Sequence, residues 1–367
     1  MRIEKIKVSN YKVFQEMSSP KLGGLNVFTG NNGSGKSTFL DVMDFLKESM
    51  LNNVTQAVQK RGGLERLLSK KSAEEEFRIE LYLTVKKETN SSYDQLIYSL
   101  SVGKEEGEIV VKRELLKQYS SLMDSSKILL DVQEGLGKVA NKKDGMVETI
   151  LFELEERNKL CIGIVGEVRG YPAVNLLRQL VTQWQLIDFN QKGFEEEQLA
   201  LWTQQLKAQQ VGNFEELLQK MKKVFPNLED ISTVEAVDGR IILQFQEGEF
   251  DSPITSAYIA QGQLKLWGLL LWLNQAHAAP LLGVESPENN LHSDLVEVLV
   301  NEFRAYAQKG GQLLVTSYSP SFLDVLRLEE LFGITKKRGQ STLKAAKDDL
   351  IVQKGYEVGE SLGRLWS

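Results

Sequence analysis

The stretch Gly30-Asn31-Asn32-Gly33-Ser34-Gly35-Lys36-Ser37-Thr38 constrains this chain more than any other. Its first eight residues fit the pattern Gly-x-x-x-x-Gly-Lys-Ser/Thr. Before it lies a short apolar run, Leu25-Asn-Val-Phe-Thr29, and after it Phe39, Leu40, Met43 and Leu46 recur at helical spacing. A strand, then a glycine loop, then a helix is the setting in which this pattern has a mechanism. Glycines let the backbone curl so that its N–H groups face a phosphate, and the helix N-terminus adds partial positive charge. Lys36 stands where it neutralises β- and γ-phosphates, and the Ser37 hydroxyl is a ligand for Mg²⁺. The sequence therefore predicts a buried strand feeding this loop, and ATP with Mg²⁺ as its ligand.

The rest of the chain reads as an α/β fold interrupted in its middle. Ile3, Ile6 and Val8 precede a turn at Asn10. Ile79, Leu81, Leu83 and Val85 alternate with polar residues, as do Leu96, Tyr98, Leu100 and Val102, and the Gly103–Gly107 turn leads to Ile109–Val111. That pattern predicts antiparallel strands. From about Tyr119 to Pro226 the spacing reads as mostly helical. Val147, Ile150, Leu151 and Leu154 fit one helix face. Phe214, Leu217, Leu218, Met221 and Val224 fit another, with Asn213 and Glu216 in capping-box positions. Strand signals return at Ile241, Leu243 and Phe245. An apolar helix from Gly262, a strand at Leu281–Val284, a helix carrying Leu295, Val298, Leu299 and Phe303, and a strand at Leu313–Thr316 follow. Buried strands alternating with helices predict a parallel sheet. No heptad pattern persists, so a long coiled coil is not expected.

Composition narrows the function classes. The chain has 367 residues, 42% hydrophobic and 26% charged, which is ordinary for a folded protein of roughly two domains. Net charge is −6, so nucleic-acid binding needs a local basic patch. Lys336-Lys337-Arg338 is such a run and reads as a solvated loop. The single cysteine, Cys161, excludes an intrachain disulfide and suits the reducing cytoplasm. Two histidines, His277 and His292, are too few for a multi-histidine metal centre. The start, Met1-Arg-Ile-Glu-Lys5, lacks the apolar core of a signal peptide. The stretch Leu266–Leu273 falls far short of a membrane span, so Trp267 and Trp272 are expected in the core.

A site of this type needs an acid at the end of a neighbouring buried strand. Leu281-Leu-Gly-Val-Glu285-Ser286-Pro287-Glu288-Asn289-Asn290-Leu291-His292 supplies the candidate, Glu285. This segment resembles the acidic strand end and following loop of the SMC/RecF/OLD-like group of ABC-type ATPases. Asn10-Tyr11-Lys12-Val13-Phe14 resembles that group's opening motif, with Lys12 as a phosphate contact. Ile259-Ala260-Gln261-Gly262-Gln263 resembles its signature, and Val315-Thr-Ser-Tyr318-Ser-Pro320 its switch segment. The ending Gly359–Trp366 resembles a bacterial subgroup of these ATPases. The likeness covers residues 1–115 and 235–367.

The resemblance implies a split ATPase head with an antiparallel β lobe and an inserted helical subdomain. The expected parts are 1–118, 119–234 and 235–367. It implies nucleotide contacts from Gly30–Thr38, Lys12, Ala260, Gly262 and Gln263, and a metal held by Ser37 and Glu285. It implies a homodimer in which two heads sandwich ATP, and a protein partner such as an effector nuclease. DNA is a further expected ligand, in repair or antiviral defence, and no membrane role is implied. Three positions depart from the family. Its catalytic glutamate falls at Ser286, its signature serine at Ala260 and its switch histidine at Tyr318, which predicts slow hydrolysis or none. Glu288 is the candidate substitute base, His292 a shaper of the loop, and Gln118 one candidate for the family's Q-loop glutamine.

Overall fold

The computed structural model describes residues 1–70, 72–86, 93–120, 125–143, 146–166, 171–189, 194–274 and 279–366. In chain order it opens with β1 (Arg2–Tyr11), β2 (Phe14–Ser18), β3 (Leu25–Thr29), α1 (Lys36–Leu51), α2 (Val54–Lys60) and α3 (Leu64–Leu67). Six strands follow: β4 (Glu76–Lys86), β5 (Tyr93–Glu105), β6 (Glu108–Ser120), β7 (Ser125–Gln133), β8 (Leu136–Lys143) and β9 (Met146–Glu153). Then come α4 (Cys161–Val165), α5 (Pro172–Thr182), β10 (Gln185–Asp188), α6 (Glu196–Gln209) and α7 (Val211–Val224). The last part holds β11 (Leu228–Glu235), β12 (Ile241–Glu247), β13 (Ile254–Thr255), α8 (Gln261–Leu273), β14 (Leu281–Glu285), α9 (Ser293–Gln308) and β15 (Gln312–Thr316). It closes with α10 (Pro320–Asp324), β16 (Leu331–Lys337), β17 (Gln340–Ala345), α11 (Leu350–Glu357) and α12 (Leu362–Trp366).

Two large sheets organise these elements. An eight-stranded antiparallel sheet runs β2-β1-β4-β5-β6-β7-β8-β9. A six-stranded sheet runs β10-β14-β15-β3-β16-β17, parallel except for β17. Its central strands are apolar runs because both faces are covered. Val27 faces one core and Phe28 the other, and Leu313 and Val315 alternate with Leu314 in the same way. One core packs the antiparallel sheet and α1 against one face of the parallel sheet. The second packs α9 on the opposite face. A third joins α6, α7 and α8 to the small β11-β12-β13 sheet. Trp267 and Trp272 are buried as expected, their ring N–H groups donating to Thr203 Oγ1 and Gln185 Oε1.

The middle of the chain corrects the sequence reading. Residues 125–153 are strands of the large sheet, and the helix expected through Val147–Leu154 is β9 with the chain just after it. Four apolar residues at i, i+3, i+4 and i+7 match a helical face, but in the strand consecutive residues fall on opposite faces, and Ile150 and Leu151 are left exposed. The turn at Glu134-Gly135, with φ of 50° and 85°, was the signal that should have decided for a hairpin. Within the expected helical insertion, Gln185–Asp188 instead pairs with β14 as the edge of the parallel sheet. The helices α4 to α7 flank that strand. Asn213 lies inside α7 and not at its cap, which is Gln210. His277 falls outside the described residues, and no helix among the described residues is long and apolar enough to cross a membrane.

Candidate nucleotide site

The loop Gly30–Gly35 leaves the C-terminal end of β3 and enters α1. Gly30 has φ of 147°, and a Cβ there would lie 2.2 Å from the Ile334 carbonyl oxygen of β16. Only glycine fits that approach. Gly35 has φ of 114°, and its Cβ would meet Val13 at 2.8 Å and Phe14 at 3.2 Å. The N-terminal hairpin therefore presses on the loop from the other side. Gly33, at φ of 75°, has open space around it and forms the tip. Asn31 and Asn32 are exposed there, and the Asn31 carbonyl accepts the Ser34 N–H at 3.0 Å.

Lys36 Nζ donates to the Gly30 carbonyl at 2.6 Å and the Asn31 carbonyl at 3.2 Å, so its ammonium lies over the loop. Burial lowers its pKa, against the pull of Glu285 and Glu288. The Ser37 hydroxyl donates to Glu285 Oε1 across 248 residues of sequence. That contact joins the two halves of the chain at one point. A cleft of about 440 Å³ is lined by Val13, Asn32, Gly33, Gly35, Lys36, Ser37, Thr38, Glu285, Ser286, Tyr318 and Lys336. Burial raises the Glu285 pKa; the Ser37 bond opposes this and Asp188 adds to it. One hydroxyl and one carboxylate make an oxygen-only donor pair, which suits a hard cation whose other ligands are phosphate oxygens. Among the described residues no three His, Cys, Asp or Glu side chains gather to hold a metal.

The wall opposite the loop is a set of locked turns. Ser286 has φ of 50°, and its N–H donates to the Thr316 carbonyl at 2.9 Å. Ser317 Oγ donates to Glu288 Oε1 at 2.6 Å. Burial raises the Glu288 pKa against that bond. Glu288 thus braces the switch segment and is not among the residues lining the cleft. Tyr318 lines the cleft and is 55% exposed. Ala260 precedes α8 in solvent, Gly262 faces the Asn290 carbonyl, and Gln263 is buried. None of these three lines this cleft.

Several expected residues have other partners. Lys12 Nζ sits 2.6 Å from Asp41 Oδ2, and Tyr11 also donates to Asp41. Asp41 is shared with Arg61, whose buried guanidinium reaches Asp44 and Glu48 as well. His292 accepts the Asp294 N–H at the start of α9. Gln118 lies in β6 of the antiparallel sheet. Sequence reasoning missed Asp188, which stands beside Glu285 in the β10–β14 register and lines a neighbouring cavity with Ser37 and Lys12. Its signal was the short apolar run Leu186-Ile187 ending in an acid.

The family model of the AAA ATPase domain matches residues 1–323. The chain belongs to this family. Solved structures with the same fold include SMC heads. A Smc head bound to the C-winged helix domain of ScpA aligns with a TM-score of 0.54 at 12% identity, over 94% of this chain and 98% of that one. The SMC head domain from Thermotoga maritima gives 0.50 at 14%, over 94% and 99%. A Smc head with an extended coiled coil, bound to the C-terminal domain of ScpA derived from Pyrococcus furiosus, gives 0.54 at 11%, over 97% and 98%. A search of the curated proteins finds no significant match. This AAA ATPase domain therefore has the SMC-head fold across nearly its whole length, and its family implies nucleotide binding.

Proposed function

We propose that this chain is an ATP-gated head that binds nucleotide tightly, turns it over slowly, and acts through a partner protein. The observation that carries the reading is the Ser37–Glu285 contact beneath Lys36. Lys36 and the loop amides bind the β- and γ-phosphates, and Ser37 with Glu285 holds Mg²⁺ there. The bound cation offsets phosphate charge. Ser286 has no carboxylate with which to take a proton from water, Ala260 has no hydroxyl, and Tyr318 offers a phenol in place of an imidazole.

Ala260 and Gly262 belong to a surface that meets a second copy, since they lie away from this chain's own cleft. Two heads closing on two nucleotides would bring each to the other's phosphates. We read the likeness to heads crystallised with ScpA fragments as support for a protein partner. A nuclease effector, in DNA repair or antiviral defence, is the partner class we favour. A second reading, a scaffold that binds ATP without hydrolysing it, is favoured by Ser286 and Tyr318 together.

Calorimetry with wild type and Lys36→Ala tests the first step. Lys36→Ala is expected to weaken ATP by tenfold or more, about 1.4 kcal/mol or above; unchanged affinity would overturn the assignment. Single-turnover phosphate release separates the two readings. Light scattering with and without ATP tests closure, with Gly262→Arg expected to block it.

A further inference from the structure

β3 and β16 run parallel and pair as far as Gly333 beside Thr29. There they part. β3 turns into the phosphate loop at Gly30, whereas β16 continues for four more residues to Lys337. The loop stays against the continuing strand, as the 2.2 Å from a Gly30 Cβ to the Ile334 carbonyl shows. Side chains alternate along a strand, so Lys336 shares a face with Ile334. Ile334 is fully buried in the core that contains α1. Lys336 therefore stands on the α1 side at the level of the loop, where it lines the cleft beside Val13. The hairpin is held in place, because Lys336 faces Ser341 and the Ser341 N–H donates to the Val13 carbonyl at 3.1 Å.

The cleft has two ends. β15 and β14 lie on one side of β3 and β16 on the other. Glu285, Ser286 and Tyr318 come from the first side, and Lys336 from the second. Lys36, Ser37 and Glu285 fix where the β- and γ-phosphates go. A nucleotide extended along the cleft then presents its α-phosphate and nucleoside to Val13 and Lys336. Lys336 is exposed and forms no ion pair among the described residues. We propose that Lys336 binds an α-phosphate oxygen of the nucleotide, from a hairpin roughly three hundred residues beyond the loop in sequence. The proposal rests on the reading of this cleft as a nucleotide site.

An ammonium on a phosphate oxygen is a charge-assisted bond, so its loss is worth about tenfold in affinity. The α-phosphate is common to ATP and ADP. Calorimetry should find that Lys336→Met weakens both by the same factor of about ten. Lys336→Arg should retain both affinities. Lys337→Met, on the opposite face of the strand, should bind as wild type does. Full affinity for both nucleotides in Lys336→Met would overturn the proposal. So would a loss confined to ATP, which would put Lys336 at the γ-phosphate. Lys36→Ala in the same series separates the two levels of the argument. If it also binds ATP like wild type, the nucleotide reading itself falls; if it loses ATP while Lys336→Met does not, only the role of Lys336 falls.

Discussion

On the loop side of the cleft, Gly30 is held against Ile334 and Gly35 against Val13 and Phe14. On the β14–β15 side, Ser286 is tied to Thr316 and Ser317 to Glu288. Both walls are fixed in shape. They differ in the chemistry they carry: the first has the Lys36 ammonium, the Ser37 hydroxyl and the loop's backbone amides, and the second has a serine hydroxyl at Ser286 and a phenol at Tyr318. The left-handed backbone at Ser286 costs about 1–2 kcal/mol for a non-glycine residue, and the N–H bond to the Thr316 carbonyl helps hold that wall's shape against it. In the function proposed above, shape there serves closure while hydrolysis lacks a carboxylate at Ser286, so binding and turnover can be tested apart.

The largest expected effect attacks the first wall. Gly30→Ala drives a Cβ into the backbone carbonyl of Ile334, which no side-chain rotation relieves. ATP binding should fall beyond a hundredfold, on the order of 3 kcal/mol, with a drop of several degrees in the thermal midpoint. Gly33→Ala is the matched contrast, since its Cβ meets nothing and only its φ of 75° is costly. It should lose about tenfold at most. Equal behaviour of the two variants in calorimetry would mean that the loop is not held by β16.

A buried carboxylate away from both walls sharpens the comparison next. Glu114 of β6 is fully buried and accepts the Tyr98 hydroxyl at 3.1 Å and the Cys161 N–H at 2.6 Å, tying α4 to the antiparallel sheet. Burial pushes its pKa up to about 7, against those hydrogen bonds. Between an unfolded value near 4.5 and about 7 the folded chain holds the extra proton. Stability from this group is therefore full below the unfolded pKa and is lost as pH rises through about 7. The range corresponds to at most about 3 kcal/mol. Glu114→Gln should remove that part of the pH dependence, so its midpoint relative to wild type rises from pH 5 to pH 8. ATP affinity at fixed pH should not move. A change in affinity would show that the lobe and the cleft are coupled.

The loop, the acidic strand end and the parallel strands could be read directly, because each is specified by a local pattern that tertiary structure can only confirm. Glycines at positive φ, an apolar strand before them and an acid at Glu285 leave little choice. The 125–153 strands could not be told from a helix by apolar spacing, since their outward face keeps Leu136 and Leu151 exposed and blurs the alternation. Lys12, Asp188 and Glu288 were illegible for another reason. Their roles depend on neighbours far away in sequence: Asp41 takes Lys12, β14 brings Asp188 to Glu285, and Ser317 takes Glu288.

The smallest expected effect, and the one that tests the second wall itself, is a gain. A positioned base contributes about 10²–10⁴-fold to rate in typical enzymes. Ser286→Glu puts a carboxylate at the cleft, on a backbone already in the left-handed region. Glutamate there keeps the existing strain but adds bulk at a residue only 4% exposed, so the thermal midpoint of the variant is measured alongside to check the fold. Single-turnover phosphate release should rise by about tenfold, less than the full contribution, because such groups act as a unit and Ala260 and Tyr318 are unchanged. The triple change Ser286→Glu, Ala260→Ser and Tyr318→His should raise it further. Wild-type turnover that is already fast and depends on Lys36 would break the comparison outright, because the second wall would then hold a working base. Glu288→Gln in wild type decides whether that base is Glu288, whose bond to Ser317 holds it away from the cleft. If the triple variant binds ATP and dimerises yet releases no more phosphate than wild type, the absence of these three groups is not what limits hydrolysis.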